Sequence, residues 1–348
     1  MRRAVLESAG RFRIEEAPTP APGPGELLLR IRAVGICGSD LHLFREGVIG
    51  GVSIGEAGGP FVPGHECVAS VEEAADPADR HLVGRRVAVE PAISCGRCRS
   101  CLRGYPNLCP EVRFLGLPPV QGCLQEYRLH RAAAVCPLPD EFDDDAGVIF
   151  EPLAVAMHAL KLAGARPGRS AAVLGSGPVG LCCLMLLSRM GLSPLVATDV
   201  LDHRLRVARD LGATRTLNPE RDDVPASIEE DTAGEGLDYV FECAGAAETQ
   251  EQTVALAGRG GKVLVLGVPA VDELRFRHSL ARRKGLTVFM VRRSNGDLPY
   301  CIRWALKEKA PLNRLVSHHF PLGRIQEAFE TASAYADGVV KAIVDPGA

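Results

Sequence analysis

Four cysteines crowd into fifteen residues: Cys95, Cys98, Cys101 and Cys109, spaced C-x2-C-x2-C-x7-C within CGRCRSCLRGYPNLCP. Two-residue gaps let successive thiolates turn inward on one tight loop, and a fourth from a longer excursion closes a tetrahedron. That is the ligand set of a structural Zn²⁺, with every position filled and none left for water. Two rival readings stand beside it. A disulfide cluster would suit a small secreted domain. An iron–sulfur cluster usually wants another spacing and a proline after its last ligand, which Pro110 supplies. A second donor set is scattered: Cys37 in GICGSDLH, His65 and Glu66 in PGHE, and Glu151 in FEPLAVAMHAL. One soft thiolate, one imidazole and carboxylates suit a second, catalytic Zn²⁺ that keeps a place for water or substrate. Singly, Cys37 reads as a buried thiol and His65 as a structural histidine; beside a nucleotide site they read together as ligands.

That nucleotide site is the run Gly175, Gly177, Pro178, Val179, Gly180, a G-x-G-x-x-G that follows an apolar strand and opens a helix. The first glycine serves the tight turn, the second lets the backbone approach a pyrophosphate, and the third allows close helix–strand packing, with the helix N-terminus facing the phosphates. Asp199 closes the next strand, nineteen residues after Gly180. Its carboxylate is placed to bond the adenosine ribose hydroxyls and to repel a 2′-phosphate, so NAD is expected over NADP. Arg204 stands nearby; an arginine there accepts a 2′-phosphate, caps a helix face or stacks on adenine. Asp202 reads as the N-cap of a helix beginning at His203.

The elements that must position these residues fall into two textures. Up to about residue 150 the chain is strand-rich, with RAVLE, RFRIEE, ELLLRIRAVGI, ECVASVEE, RRVAVEP and LQEYRLH, and a proline-rich connector in APTPAPGPGE. The glycine-rich stretch from Arg45 to Phe61 reads as a mobile loop. From Ser170 the pattern becomes strand–helix–strand, through AAVLGSG, PVGLCCLMLLSRM, PLVATDV, DHRLRVARDLGA, LDYVFECAG and GKVLVLGVP, the signature of βαβ units and a parallel sheet. After about Leu286 a mixed tail is expected to rejoin the first domain. At 348 residues two domains are the soft expectation. The net charge of −3 leaves no footprint for nucleic acid or an anionic membrane. MRRAVLESAG lacks the apolar core of a signal peptide, and apolar runs such as LCCLMLL are too short to span a bilayer. Twelve cysteines then argue for a reducing, cytoplasmic setting.

GICGSDLH, PGHE, the four-cysteine lobe, EPLAVAMHAL and GSGPVG follow in the order and spacing of the zinc-dependent medium-chain dehydrogenases, which the chain resembles over essentially its full length. The EPL motif and the ungapped CGSDLHLFREGVIG make the sorbitol (polyol) dehydrogenase branch the most similar. The resemblance implies an α/β protein: a GroES-like β-rich catalytic domain over 1–152 and 291–348, carrying a structural zinc lobe at 94–110, and a Rossmann doubly wound parallel-sheet NAD-binding domain over 153–290, with the active site in the cleft between them. It implies two Zn²⁺ per chain and NAD. Cys37 and His65 would ligate the catalytic zinc, Glu66 directly or intermittently, and Glu151 as a fourth ligand or the holder of the zinc water. Asp40 would orient His65, and Ser39 and His42 match the proton-relay positions.

Departures from the branch bear on the substrate. Val48 stands where the branch tends to have an arginine, and Leu117 replaces a small polar residue of the polyol pocket. Arg292 and Arg293 fall near a substrate-facing stretch and would grip hydroxyls or an anion. Lys341 reads equally as a residue near the cofactor and as a surface lysine, and Cys67, Cys123, Cys136, Cys182, Cys183, Cys243 and Cys301 as buried or incidental thiols. The expected activity is oxidation of a secondary alcohol of a polyol, cyclitol or related sugar alcohol, in a homo-oligomer, tetramer before dimer. A threonine-3-dehydrogenase-like or general secondary-alcohol activity is the enzyme alternative. A catalytically silent nucleotide-binding relative would be expected to have lost a ligand or relay residue, and all are present.

Overall fold

The computed structural model describes residues 1–269 and 273–348. The chain divides into two compact units, one formed by Met1–Glu151 with Leu298–Ala348 and the other by Pro152–Asp297.

The first unit is built on a seven-stranded sheet. Its path runs Val135–Pro137, Arg86–Val89, Glu66–Ala74, Glu26–Gly35, Lys341–Asp345 and Val316–Pro321, with Tyr127–Arg131 also pairing Glu26–Gly35. All pairs are antiparallel except the last two strands of the path, which run parallel. The strand Lys341–Asp345 therefore returns from the end of the chain to lie beside Glu26–Gly35, the strand that delivers Cys37. A hydrophobic core that includes Leu27, Leu29, Ile31, Val34, Cys67, Ala69 and Phe329 lies in this unit.

The helix Gly38–Glu46 follows that strand directly. Leu41, Leu43 and Phe44 are buried, and Gly47 ends the helix in the left-handed region at φ 71°. Phe44 packs against Phe12 and Phe329 with ring centroids 5.7 and 5.3 Å away, fixing the helix on Ile325–Ser333. The glycine-rich stretch after it is more ordered than its composition suggests. Val48–Ile49 pairs with Val52–Ser53, and Ser53 opens a short 3-10 turn by accepting from Gly55 N at 3.1 Å while its own N–H bonds Glu56.

The second unit carries a six-stranded, all-parallel sheet in the order Arg215–Leu217, Leu195–Thr198, Ala171–Leu174, Leu237–Glu242, Ala257–Val265, Thr287–Met290. The chain winds outward from Ala171–Leu174 in one direction and then restarts at Leu237–Glu242 in the other. That reversal is the switch point at which doubly wound sheets bind nucleotides. Thr287–Met290 belongs to this sheet, so the chain leaves the unit only after Asp297. The helix Asp144–Ala163 is long and apolar enough to cross a membrane by length and composition, contrary to the reading of short apolar runs. In the fold, 78% of its apolar window is buried, as in a core helix.

Candidate active site

Cys37 caps the helix Gly38–Glu46, and the PGHE segment leads into the strand Glu66–Ala74, which pairs with Glu26–Gly35 so that Glu66 lies opposite Gly35. Register and turn thus converge Cys37, His65 and Glu66, each offering a ligand atom within 4.8 Å of the others. The match at Gly35 is tight: a Cβ there would come to 2.5 Å from Glu66 Oε2.

Asp40 ties the two ligand loops together. Its Oδ2 accepts from Cys37 N at 3.0 Å, its Oδ1 accepts from Gly64 N at 3.1 Å, and His65 Nδ1 lies 3.5 Å from Oδ1. Its carboxylate is spent chiefly on backbone amides, so it orients His65 through the loop as well as through the ring. Burial alone would push the His65 imidazolium down, but the charges of Asp40 and Cys37 outweigh it and hold His65 well above its ordinary range. Lys341 responds to the same field: burial lowers it, while Glu66, Cys37 and Asp40 raise it. A pocket that favours positive charge on two different groups is one that a cation fits, and thiolate, imidazole and carboxylate are the donors zinc takes.

For Lys341 the sequence left two places open, near the cofactor and on the surface. It is not on the surface but 2% exposed, ion-paired to Glu66 and donating to the Ile36 carbonyl at 3.0 Å. Glu151 is half-buried on the helix Asp144–Ala163 and lies outside the three-residue ligand group. Burial raises its carboxyl to about 8, His65 and Lys341 pull it down, and Glu66 and Glu90 push it up. It therefore shares the electrostatic neighbourhood of the cluster. Ser39 and His42 stand one turn apart on the capped helix, both half-buried, with His42 Nδ1 3.7 Å from Glu46.

The second cysteine group also converges. Cys95, Cys98, Cys101 and Cys109 lie with all sulfurs within 4.8 Å, Cys98 Sγ being 3.5 Å from Cys101 and 3.9 Å from Cys109, and all four are free thiols. Sulfurs on a shared tetrahedral zinc, each about 2.3 Å from the ion, stand about 3.8 Å apart. Backbone N–H groups at Arg97 and Cys98 bring the Cys95 thiol down to about 7, toward the thiolate that a metal requires. Of the remaining cysteines, Cys67 and Cys123 are buried with sulfurs 3.3 Å apart, and Cys182, Cys183 and Cys301 are buried; Cys136 and Cys243 are half-buried.

In the second unit Gly177 caps the twelve-residue helix Pro178–Arg189, whose first turn holds Pro178, Val179 and Gly180. A Cβ on Gly180 would strike Gly175 O at 1.9 Å, and one on Gly175, where φ is 93°, would meet Ala244 N at 2.8 Å. A Cβ on Gly177 would meet nothing nearer than Arg204 Nη1 at 3.9 Å. Packing demands the outer two glycines, whereas the middle one leaves room for an approaching ligand, so the cradle fits a pyrophosphate. Asp199, 8% exposed, accepts from Ser176 N at 2.8 Å and Leu201 N at 2.9 Å, and lies 3.8 Å from Arg204 Nη1. Asp202 is not the N-cap expected of it. It is the first helical residue, Leu201 takes the cap position, and the Asp202 carboxylate accepts from Arg221 and Asn218. Arg292 is exposed and Arg293 half-buried, the latter in the left-handed region at φ 59°.

A thiolate–imidazole–carboxylate cluster in a GroES-like unit, a closed four-thiolate lobe and a glycine cradle on a doubly wound sheet define a zinc dehydrogenase architecture. Comparison with known proteins agrees. Residues 23–140 match the alcohol dehydrogenase GroES-like domain and 178–307 the zinc-binding dehydrogenase domain. The chain is 32% identical to a sorbitol dehydrogenase of Bacillus subtilis, covering 99% of this chain and 97% of that one. It is 33% identical to an L-idonate 5-dehydrogenase of Vitis vinifera, covering 92% and 88%. Among solved structures, a zinc-binding dehydrogenase from Sinorhizobium meliloti bound to NADP is 30% identical, with 99% of each chain covered and a TM-score of 0.89. This chain belongs to the zinc-dependent medium-chain dehydrogenase family, in its sorbitol dehydrogenase-like branch, and is a zinc-dependent alcohol/polyol oxidoreductase.

Proposed function

We propose that this chain oxidises a secondary alcohol of a polyol, cyclitol or related sugar alcohol to a ketone, with NAD as hydride acceptor and two zinc ions per chain. The observation that carries the reading is the convergence of half-buried Cys37 with buried His65 and Glu66 on one locus that favours positive charge. Zinc held there supplies Lewis acidity toward the substrate hydroxyl, and a bound nicotinamide accepts the hydride.

The residues divide the remaining work. Cys37 and His65 hold the ion, Glu66 is divided between the ion and Lys341, and the Glu151 carboxyl stands ready to hold water or a substrate hydroxyl nearby. Ser39 and His42 pass the released proton toward solvent along one face of their helix. Cys95, Cys98, Cys101 and Cys109 hold the structural ion. Gly175, Gly177, Pro178, Val179 and Gly180 cradle the pyrophosphate. Asp199 takes the ribose hydroxyls and opposes a 2′-phosphate, with Arg204 stacking alongside rather than receiving that phosphate. The resemblance to the polyol branch supports a homotetramer in the cytoplasm.

The test is a panel of polyols, cyclitols, simple secondary alcohols and threonine, each with NAD and with NADP, followed by absorbance of the reduced nicotinamide. Turnover of a polyol or cyclitol with a clear kcat/KM preference for NAD is expected. Turnover confined to threonine or to simple alcohols would overturn the substrate class. A preference for NADP, the cofactor bound by the Sinorhizobium meliloti relative, would hand the ribose pocket to Arg204.

A further inference from the structure

Glu242 is the last residue of the strand Leu237–Glu242, on the far side of the switch point from the glycine turn, and it is 0% exposed. A carboxylate buried to that degree is costly unless it is well bonded. Its Oε1 accepts three hydrogen bonds, from Ala244 N at 2.9 Å, Gly245 N at 2.8 Å and Thr249 Oγ1 at 2.8 Å. Its backbone carbonyl accepts from Leu266 N at 2.8 Å and Gly267 N at 3.0 Å, at the end of the neighbouring strand. Cys243 N, next in sequence, bonds Leu174 O at 2.8 Å, at the end of the strand that leads into Gly175.

Three loops therefore meet at this residue with no room between their backbones. A Cβ on Gly267 would come to 2.2 Å from Gly245 N and 2.6 Å from Glu242 Oε2, and one on Gly245 to 2.6 Å from Val268 O. On the other side Gly175 presses on Ala244. Gly175 apart, none of these residues figures in the glycine motif, yet they form the end of the sheet over which the second half of a dinucleotide must lie once its pyrophosphate sits at Gly177.

We propose that Glu242 is a positioning residue for the nicotinamide half of the cofactor: through Oε1 it fixes the loop Ala244–Gly245, against which Gly267–Val268 packs, at the height that half requires. The inference rests on the nicotinamide reading given above. It assigns the acceptor oxygen, not the negative charge, as what matters, because one oxygen carries all three bonds.

The test compares NADH, which needs both halves of the site, with ADP, which needs only the adenosine half, by calorimetric titration of the zinc-loaded protein. Glu242→Ala should weaken NADH by about tenfold to a hundredfold while ADP changes by less than about twofold, the scale set by unpairing buried donors. Glu242→Gln, which keeps the acceptor oxygen at the same reach, should restore NADH binding to within a few fold. If Glu242→Ala does not fold, Thr249→Val removes one donor isosterically and should shift NADH alone, in the same direction by less. Equal weakening of NADH and ADP, or unchanged NADH in Glu242→Ala or in Thr249→Val, would overturn the assignment. Failure of the unaltered protein to bind either NADH or ADP would instead overturn the nicotinamide reading on which it stands.

Discussion

At the scale of single residues, the pair Lys341 and Glu66 governs how the metal locus behaves. Each side chain is 1% exposed, so neither charge has water to fall back on. Breaking a buried pair by removing one partner costs about 3–5 kcal/mol, because the other charge is left uncompensated. A zinc ion beside Glu66 would offer that carboxylate a second cationic partner. Lys341→Met should therefore lower the thermal midpoint of zinc-free protein markedly and that of the zinc-loaded protein much less. Equal losses in the two forms would mean that zinc does not share Glu66. The cluster itself was legible because Cys37, His65 and Glu66 sit in short stretches whose residue types already belong to metal chemistry. Lys341 was not, because its partner is 275 residues away. The available signal was a lone lysine in VVKAIVDP, a strand buried on both faces, where an unpaired cation has no place.

At the scale of elements, apolar runs marked the parallel strands of the second unit, and alternation marked several strands of the first. What composition hid was order imposed by neighbours: the hairpin within Arg45–Phe61, the apolar helix Asp144–Ala163, and the loss of the Asp202 cap to Arg221 and Asn218. The strand Tyr127–Arg131 supplies a further buried polar group in His130, 2% exposed, whose Nε2 donates to Glu90 O at 3.0 Å. Burial pushes His130 down to about 4, whereas in the unfolded chain it titrates near 6.5. Between these values the unfolded chain binds the extra proton. His130 therefore contributes no acid penalty above pH 6.5, and stability falls as pH drops toward 4, by up to ~3 kcal/mol. His130→Asn should flatten this part of the acid limb when urea midpoints are compared at pH 7 and pH 5. An unchanged pH slope would show that His130 is already charged in the fold.

At the scale of the whole molecule, the two donor sets differ in what they leave open, and the difference sets the order in which the protein fails. Around the lobe, four thiolates would satisfy a tetrahedral ion completely, and the turns from Cys95 to Cys109 have no apolar core of their own to replace it. At Cys37 the donors are fewer, one of them is shared with Lys341, and the strands and helices around them are held by a continuous hydrophobic core whether or not metal is present. A mild chelator should accordingly remove one zinc per chain and abolish turnover while the circular dichroism and thermal midpoint stay nearly unchanged. A stronger chelator, or prolonged exposure, should remove the second zinc and then lower the midpoint. Metal analysis alongside activity and melting curves distinguishes the stages. Simultaneous loss of both ions, or a fall in the midpoint before turnover is lost, would mean that the Cys37 locus holds part of the fold together and that the lobe is not the tighter site.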